Sequence, residues 1–197
     1  MINIIGKRYF FFVLSLVIII PGLILLGIAL YIQSRPVKKR ESGVFSLMMF
    51  GGALWAFANA IQLITPDVVW QRFWNGVTYI GIMIVPTTWF LLSVKLTGFQ
   101  RETIERFERF FWLPPALLYF FVLTSRWHQL FFTSSEITAV GGYFALENHY
   151  GILFYFHTVY SYMLLVIGIA LVTVSLVMKF KKYGIQAGIA PHSDFDL

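Results

Sequence analysis

The sequence predicts an all-α, polytopic membrane helix bundle with five transmembrane helices and the truncated start of a sixth. Three observations predict it. Charged residues are nearly absent from five long stretches, 9–34, 42–66, 73–94, 110–125 and 148–178. The 197-residue chain is 58% hydrophobic and only 12% charged, where a soluble domain carries about 25% charged residues. Its basic residues cluster at the ends of the apolar runs, which is how membrane topology is encoded. A hydrocarbon core about 30 Å thick takes about 20 apolar residues of α-helix, and all the runs but the short fourth meet or nearly meet that length.

The first helix is expected over 9–33, with Pro21 and Gly22 near its middle; proline there frees a carbonyl and bends the helix. Lys7 and Arg8 precede it, but the run is too long for a signal-peptide h-region and no small-x-small cleavage site closes it. A basic loop follows with Arg35, Lys38, Lys39 and Arg40. The second helix is expected over 43–64, ending at Thr65-Pro66-Asp67, a tight turn that places Asp67 to cap the next helix. The third is expected over 69–96, with Pro86 as a second bend. The mixed-charge segment Arg101–Arg109 then leads into a fourth helix over 108–124 that contains Pro114-Pro115. A loop of about 25 residues, from Ser125 to Tyr150, leads into a fifth helix over 151–178, flanked by Lys179, Lys181 and Lys182. Residues 1–190 read as one membrane domain and 191–197 as a short polar tail.

Counting Lys and Arg on alternate sides puts eleven on one face of the membrane and four (Lys7, Arg8, Arg72, Arg126) on the other. The positive-inside rule assigns the eleven to the cytoplasm. The expectation is a multi-pass protein of the cell membrane with its N-terminus outside and its C-terminus in the cytoplasm.

Zero Cys removes disulfides, thiolate nucleophiles and Cys-ligated metal clusters. No GxSxG, HExxH, P-loop or GxGxxG occurs, and the apolar runs hold no acid–base pair, so no catalytic activity is expected. The net charge of +6 belongs to the membrane flanks and implies no nucleic-acid partner. No cofactor and no metal set are expected; His128, His149 and His157 lack a metal-ligand spacing.

Polar and aromatic residues within the runs are the site candidates. Trp55, Asn59 and Gln62 are spaced four and three apart and share one helix face. They read either as interhelical hydrogen-bond glue or as the wall of a polar pocket. Trp74, Asn75, Thr78 and Tyr79 precede Pro86, and a helix bent there walls a cavity or simply packs, with Gly81 allowing close approach. His157, with Tyr160 and Ser161 following, is an ionisable residue inside a span, hence a functional candidate by default. Trp127 and His128 read as interface anchors or as the mouth of the same cavity. In Arg101–Arg109, Glu102/Arg106 and Glu105/Arg109 are i,i+4 pairs, giving a solvated helix start or a surface for a cytoplasmic partner.

Several of these features fall together. Trp55, Trp70, Trp74-x4-Tyr79-x-Gly81-x4-Pro86 and Lys95-Leu96-Thr97-Gly98 resemble the N-terminal seven-helix sensor region of bacterial histidine kinases, a module that also precedes some diguanylate cyclases. The resemblance continues at Leu123–Phe131, where the family has a similar T-N-x-x-H-x-L-F turn, and at Gly151–His157 and Tyr160-Ser161-Tyr162. It implies a sensory function in signal transduction of the two-component type. Tyr183–Ile189 resembles the start of the family's sixth helix, after which the polar tail cannot span. No phospho-accepting His motif and no nucleotide-binding glycine box is present, so the resemblance implies signal input without kinase or cyclase output.

The expected function is therefore a membrane-embedded signal-input domain, its ligand between the second, third and fifth helices against Trp55, Asn59, Gln62, Trp74, Tyr79 and His157, with Trp127 and His128 at the mouth and Pro21 and Pro86 as bends. Its partners would be the lipid bilayer and either a separate cytoplasmic transmitter protein or a second copy in a homodimer. The alternatives are a small transporter or permease subunit, which internal repeats would favour and none is found, or a non-functional truncated receptor fragment.

Overall fold

A computed structural model describes residues 2–36, 40–98, 101–140 and 143–188. The element order is α1 (Ile2–Ser34), α2 (Arg40–Ile64), α3 (Val68–Thr97), α4 (Arg101–Phe111), α5 (Leu113–His128), β1 (Phe132–Val140), β2 (Tyr143–Tyr150) and α6 (Ile152–Gly188). The expected tail 191–197 and the loop lysines Lys38 and Lys39 lie outside the described residues.

Four helices are long and apolar enough to cross a membrane, over Val13–Ser34, Glu41–Ile64, Val68–Thr97 and Ile152–Phe180. The central one is α3: 67% of its apolar window is buried, against 17% for α1 and 11% for α6. It packs between α2 and α6, while α1 packs on α2. The outward faces of α1 and α6, such as Leu16, Ile20, Val166 and Ile169, are exposed apolar surface, as lipid contact requires.

Three expectations are corrected. The predicted fourth helix, 108–124, is two helices that divide at Trp112. Prolines lack an N–H and disfavour helix in the residue before them, so Pro114-Pro115 restarts the chain as the first turn of α5. At 16 residues, α5 is about 24 Å long and is not among the four candidate spans. The expected Ser125–Tyr150 loop is the end of α5 followed by an antiparallel hairpin, from Phe132 opposite Tyr150 to Val140 opposite Tyr143, so the fold is not purely helical. The signal lay in two β-prone runs around Gly141-Gly142, a hairpin signature. Finally, α6 continues through the expected stop at 178 to Gly188, 37 residues in one helix or about 55 Å.

Two joints behave as their sequences imply. Asp67 caps α3, its Oδ1 accepting from the amides of Val69 (2.9 Å) and Trp70 (3.0 Å). Fully buried Gln71 ties the turn back by donating from Nε2 to the Thr65 carbonyl at 2.8 Å. Pro86 sits buried inside unbroken α3. The hydroxyls after it bond back up the helix, Thr87 to Met83 O (3.2 Å) and Thr88 to Ile84 O (2.7 Å), which keeps carbonyls near the proline satisfied inside an apolar medium.

Small residues set the helix spacing. A Cβ at Gly81 would lie 2.7 Å from Trp55 Cβ on α2. On the other side of α3, the indole of Trp89 lies against Gly168, where a Cβ would collide with it, and donates from Nε1 to Leu165 O on α6 at 3.2 Å. The α3–α6 seam carries two buried clusters. One, near the hairpin, holds Tyr79, Met83, Val122, Phe131 and Phe132. The other holds Phe90, Leu91, Val94 and Leu164, with Phe111 and Trp112 from the α4–α5 junction packed on it.

Candidate functional site

The hairpin is bound to the helices through a narrow neck. Its end folds onto its start: the Gly151 amide donates to Phe131 O (2.8 Å) and the Leu153 amide to Leu130 O (3.0 Å). A Cβ at Gly151 would collide with Leu130 O, so only glycine allows this closure. The neck drives Phe131, fully buried, into the α3–α6 seam. There it meets Tyr79 of α3 edge-on at 5.3 Å, and the ring of His157 of α6 at 6.2 Å. Phe132 stands edge-on to Tyr79 at 5.4 Å and edge-on to Phe131 at 5.0 Å, so the three rings form a triangle. His157 is 4% exposed, and its Nδ1 is 3.4 Å from Ser161 Oγ.

Of the eight candidate residues, Tyr79 and His157 thus meet at one place, through Phe131. On the α2 stripe, Trp55 sets its Cβ against Gly81 of α3. Trp55 is 49% exposed, Gln62 is half-buried, and Asn59 spends its Nδ2 on its own helix at Trp55 O (2.9 Å). Trp74 is half-buried and packs edge-on against Phe73 at 5.2 Å. Trp127 is 84% exposed. His128 finishes α5: Nδ1 accepts from the Leu130 amide at 3.0 Å, which leaves Nε2 as the donor to Thr124 Oγ1 at 3.0 Å. Thr124 in turn donates to Phe120 O at 2.7 Å. Gln129 follows in the left-handed region, φ 57°, turning the chain toward the neck. Among the described residues, no three His, Asp or Glu side chains converge as a metal site would need.

The open space is elsewhere. A cleft of about 460 Å³ lies between the first turns of α3, the last turns of α5 and β1. Arg72, Asn75, Ser125 and Arg126 line it from the helices, and Thr133, Ser134 and Ser135 from the strand. Its apolar wall is Val122, Leu123, Phe132 and Leu146. Val122 and Phe132 also belong to the Tyr79 cluster, so the cleft and the aromatic seam share a wall. Two polar contacts shape the rim: Arg72 Nη2 donates to Ser135 O at 3.4 Å, and Asn148 Nδ2 of β2 donates to Asn75 Oδ1 at 3.3 Å. In sequence, Asn75 stands out as a cavity residue, but Arg72 and Arg126 register only as topology charges. Nothing local shows that a hairpin closes over them.

A helical membrane domain, with four helices long and apolar enough to cross a bilayer and a two-stranded hairpin packed against them, is the class this architecture defines. The family model described as the N-terminal 7TM region of histidine kinase matches residues 17–190. The chain belongs to that family, the one its sequence resembles. No curated protein and no solved structure matches it.

Proposed function

We propose that this chain is a signal-input domain in which the hairpin and its neck report to the far ends of α3 and α6. One observation carries the reading: Phe131, held at the neck of the hairpin, contacts Tyr79 on α3 and His157 on α6 at once. Both helices run from that point to the opposite end of the bundle, where the second buried cluster joins them to the α4–α5 junction. A ligand that favours one packing of Phe131 over another shifts the helix arrangement by its differential affinity. By the count of eleven basic residues against four, the hairpin faces outward and the end of α6 faces the cytoplasm. The receiver is then a cytoplasmic transmitter, engaged directly or through a second copy of the chain. Membership in a histidine kinase sensor family supports this direction of flow.

The chain has no cysteine, so a pair of introduced ones labels cleanly. Spin labels at Leu96→Cys and Phe180→Cys, both exposed near the inner ends of α3 and α6, report their separation in lipid nanodiscs. The distance distribution should shift or broaden in Phe131→Ala, and in the milder His157→Gln. Distributions that superimpose on the parent in both variants, with insertion intact, would sink the reading.

A further inference from the structure

We infer that the cleft between α3, α5 and β1 binds a small organic anion: a carboxylate or phosphate head on Arg72 and Arg126, with a short apolar body against Leu123 and Leu146. The inference rests on the signal-input reading for its purpose, but not for its chemistry.

The cleft's volume of about 460 Å³ falls within the usual range for small-molecule sites, about 300–1,000 Å³. Its charge has one sign. Two guanidinium groups line it and no Asp or Glu does. Among the described residues neither arginine forms an ion pair, whereas Lys95 pairs with Glu108 at the far end of α3. Arg72 is steadied by its bond to Ser135 O, which uses one of five guanidinium donors and leaves the fork for a planar or tetrahedral oxyanion. Ser125, Thr133 and Ser135 already donate their hydroxyl protons to Val122 O, His149 O and Asn148 Oδ1, so Ser134 is the cleft hydroxyl left to donate to an anion. The wall of Val122, Leu123, Phe132 and Leu146 gives an apolar body a place that an inorganic ion would leave empty. Because Val122 and Phe132 also pack on Tyr79, an occupant would press on the same cluster that joins α3 to α6.

The anionic head can come from a solute or from a membrane lipid, since the cleft sits at the start of the spanning helix α3. Two probes separate these sources. In nanodiscs of phosphatidylcholine alone, 4-fluorobenzoate binding to the full chain is read by ¹⁹F line broadening, with neutral 4-fluorobenzamide as control. In nanodiscs containing phosphatidylglycerol, lipid retained on the protein is read by native mass spectrometry. Arg72→Gln combined with Arg126→Gln should weaken the bound probe about tenfold or more, the scale of a lost charge-assisted contact. Gly76→Leu fills the cleft without touching its charge: a Cβ there meets only Leu123 Cδ2, at 3.8 Å, so the helix tolerates it, and it should block the same probe.

Benzoate binding that both variants lose assigns the site to a soluble anion. Phosphatidylglycerol retention that both lose, without benzoate binding, assigns it to a lipid head. If neither probe binds, if the amide binds as well as the acid, or if the variants bind like the parent, the inference is overturned. Binding without a change in the α3–α6 label distance would leave the site standing and count against the signal-input reading. A label shift in Phe131→Ala with no binding of either probe would do the reverse.

Discussion

Lys95, near the end of α3, places its Nζ 3.0 Å from both carboxylate oxygens of Glu108 on α4. The lysine side chain is 5% exposed and the glutamate 28%, so the pair pins the short charged helix α4 beneath the spanning helix α3. In sequence Glu108 belongs to an alternating-charge run, but Ile104 and Trp112 stand four residues to either side of it, so it has no part in the run's i,i+4 pairs. The structure gives it a partner thirteen residues back.

Removing one partner should cost more than removing both, because a buried charge left alone keeps its desolvation penalty. Glu108→Leu should destabilise the chain by about 1–3 kcal/mol, less than for a wholly buried pair because Glu108 keeps some solvent. The double variant Lys95→Met with Glu108→Leu should recover much of that loss. Thermal unfolding in detergent for the four members of the cycle checks this; strict additivity would rule the coupling out.

The contact between α2 and α3 predicts a contrast between glycines. Gly81→Ala should destabilise by about 1–3 kcal/mol through overpacking, since its Cβ would meet both Trp55 and the Gly51 backbone. Gly27→Ala on α1 should be neutral or mildly stabilising, as nothing lies within 4 Å of its Cβ and alanine favours helix over glycine. Comparing the two unfolding temperatures tests the packing directly.

Asp67→Ala removes the acceptor of two α3 amides and should cost about 0.5–2 kcal/mol. Asp67→Asn or Asp67→Ser should restore most of it, because either can cap. Equal losses in all three would mean that the carboxylate charge matters more than the cap geometry.

Topology is open to cysteine labelling in whole cells. Thr133→Cys, exposed on the hairpin, and Glu102→Cys, exposed on α4, should react oppositely with a membrane-impermeant maleimide. With the N-terminus outside, Thr133→Cys is labelled in intact cells and Glu102→Cys only after permeabilisation. The reverse pattern would overturn the eleven-to-four charge argument.

Much of the fold was legible because the bilayer imposes one rule along the chain, that long apolar runs must be helices satisfying their own backbone groups. That rule placed the four candidate spans to within a few residues at most of their ends, apart from the far end of α6 and the N-terminal extension of α1. The Asp67 cap was legible too, because capping is local chemistry. The break at Trp112 was foreshadowed by Pro114-Pro115, yet apolarity on both sides hid it. The hairpin was missed because the pairing of its nine- and eight-residue strands is not a helical periodicity.

The candidate site divided along the same line. Tyr79 and His157 stood out in sequence because polar or ionisable side chains inside apolar runs are few. Phe131, which joins them, closed the turn that carries the resemblance, but as one of 21 phenylalanines nothing in the sequence marked it as their link. By itself the sequence determined the membrane class, the family and most helix limits, since each depends on residues near one another in the chain. Only the tertiary structure decided that the neck at Gly151 would seat Phe131 between α3 and α6, and that Arg72 and Arg126, 54 residues apart, would face one cleft. Those contacts depend on how far the hairpin folds back, and chain closure over that distance is set by packing rather than by any local residue pattern.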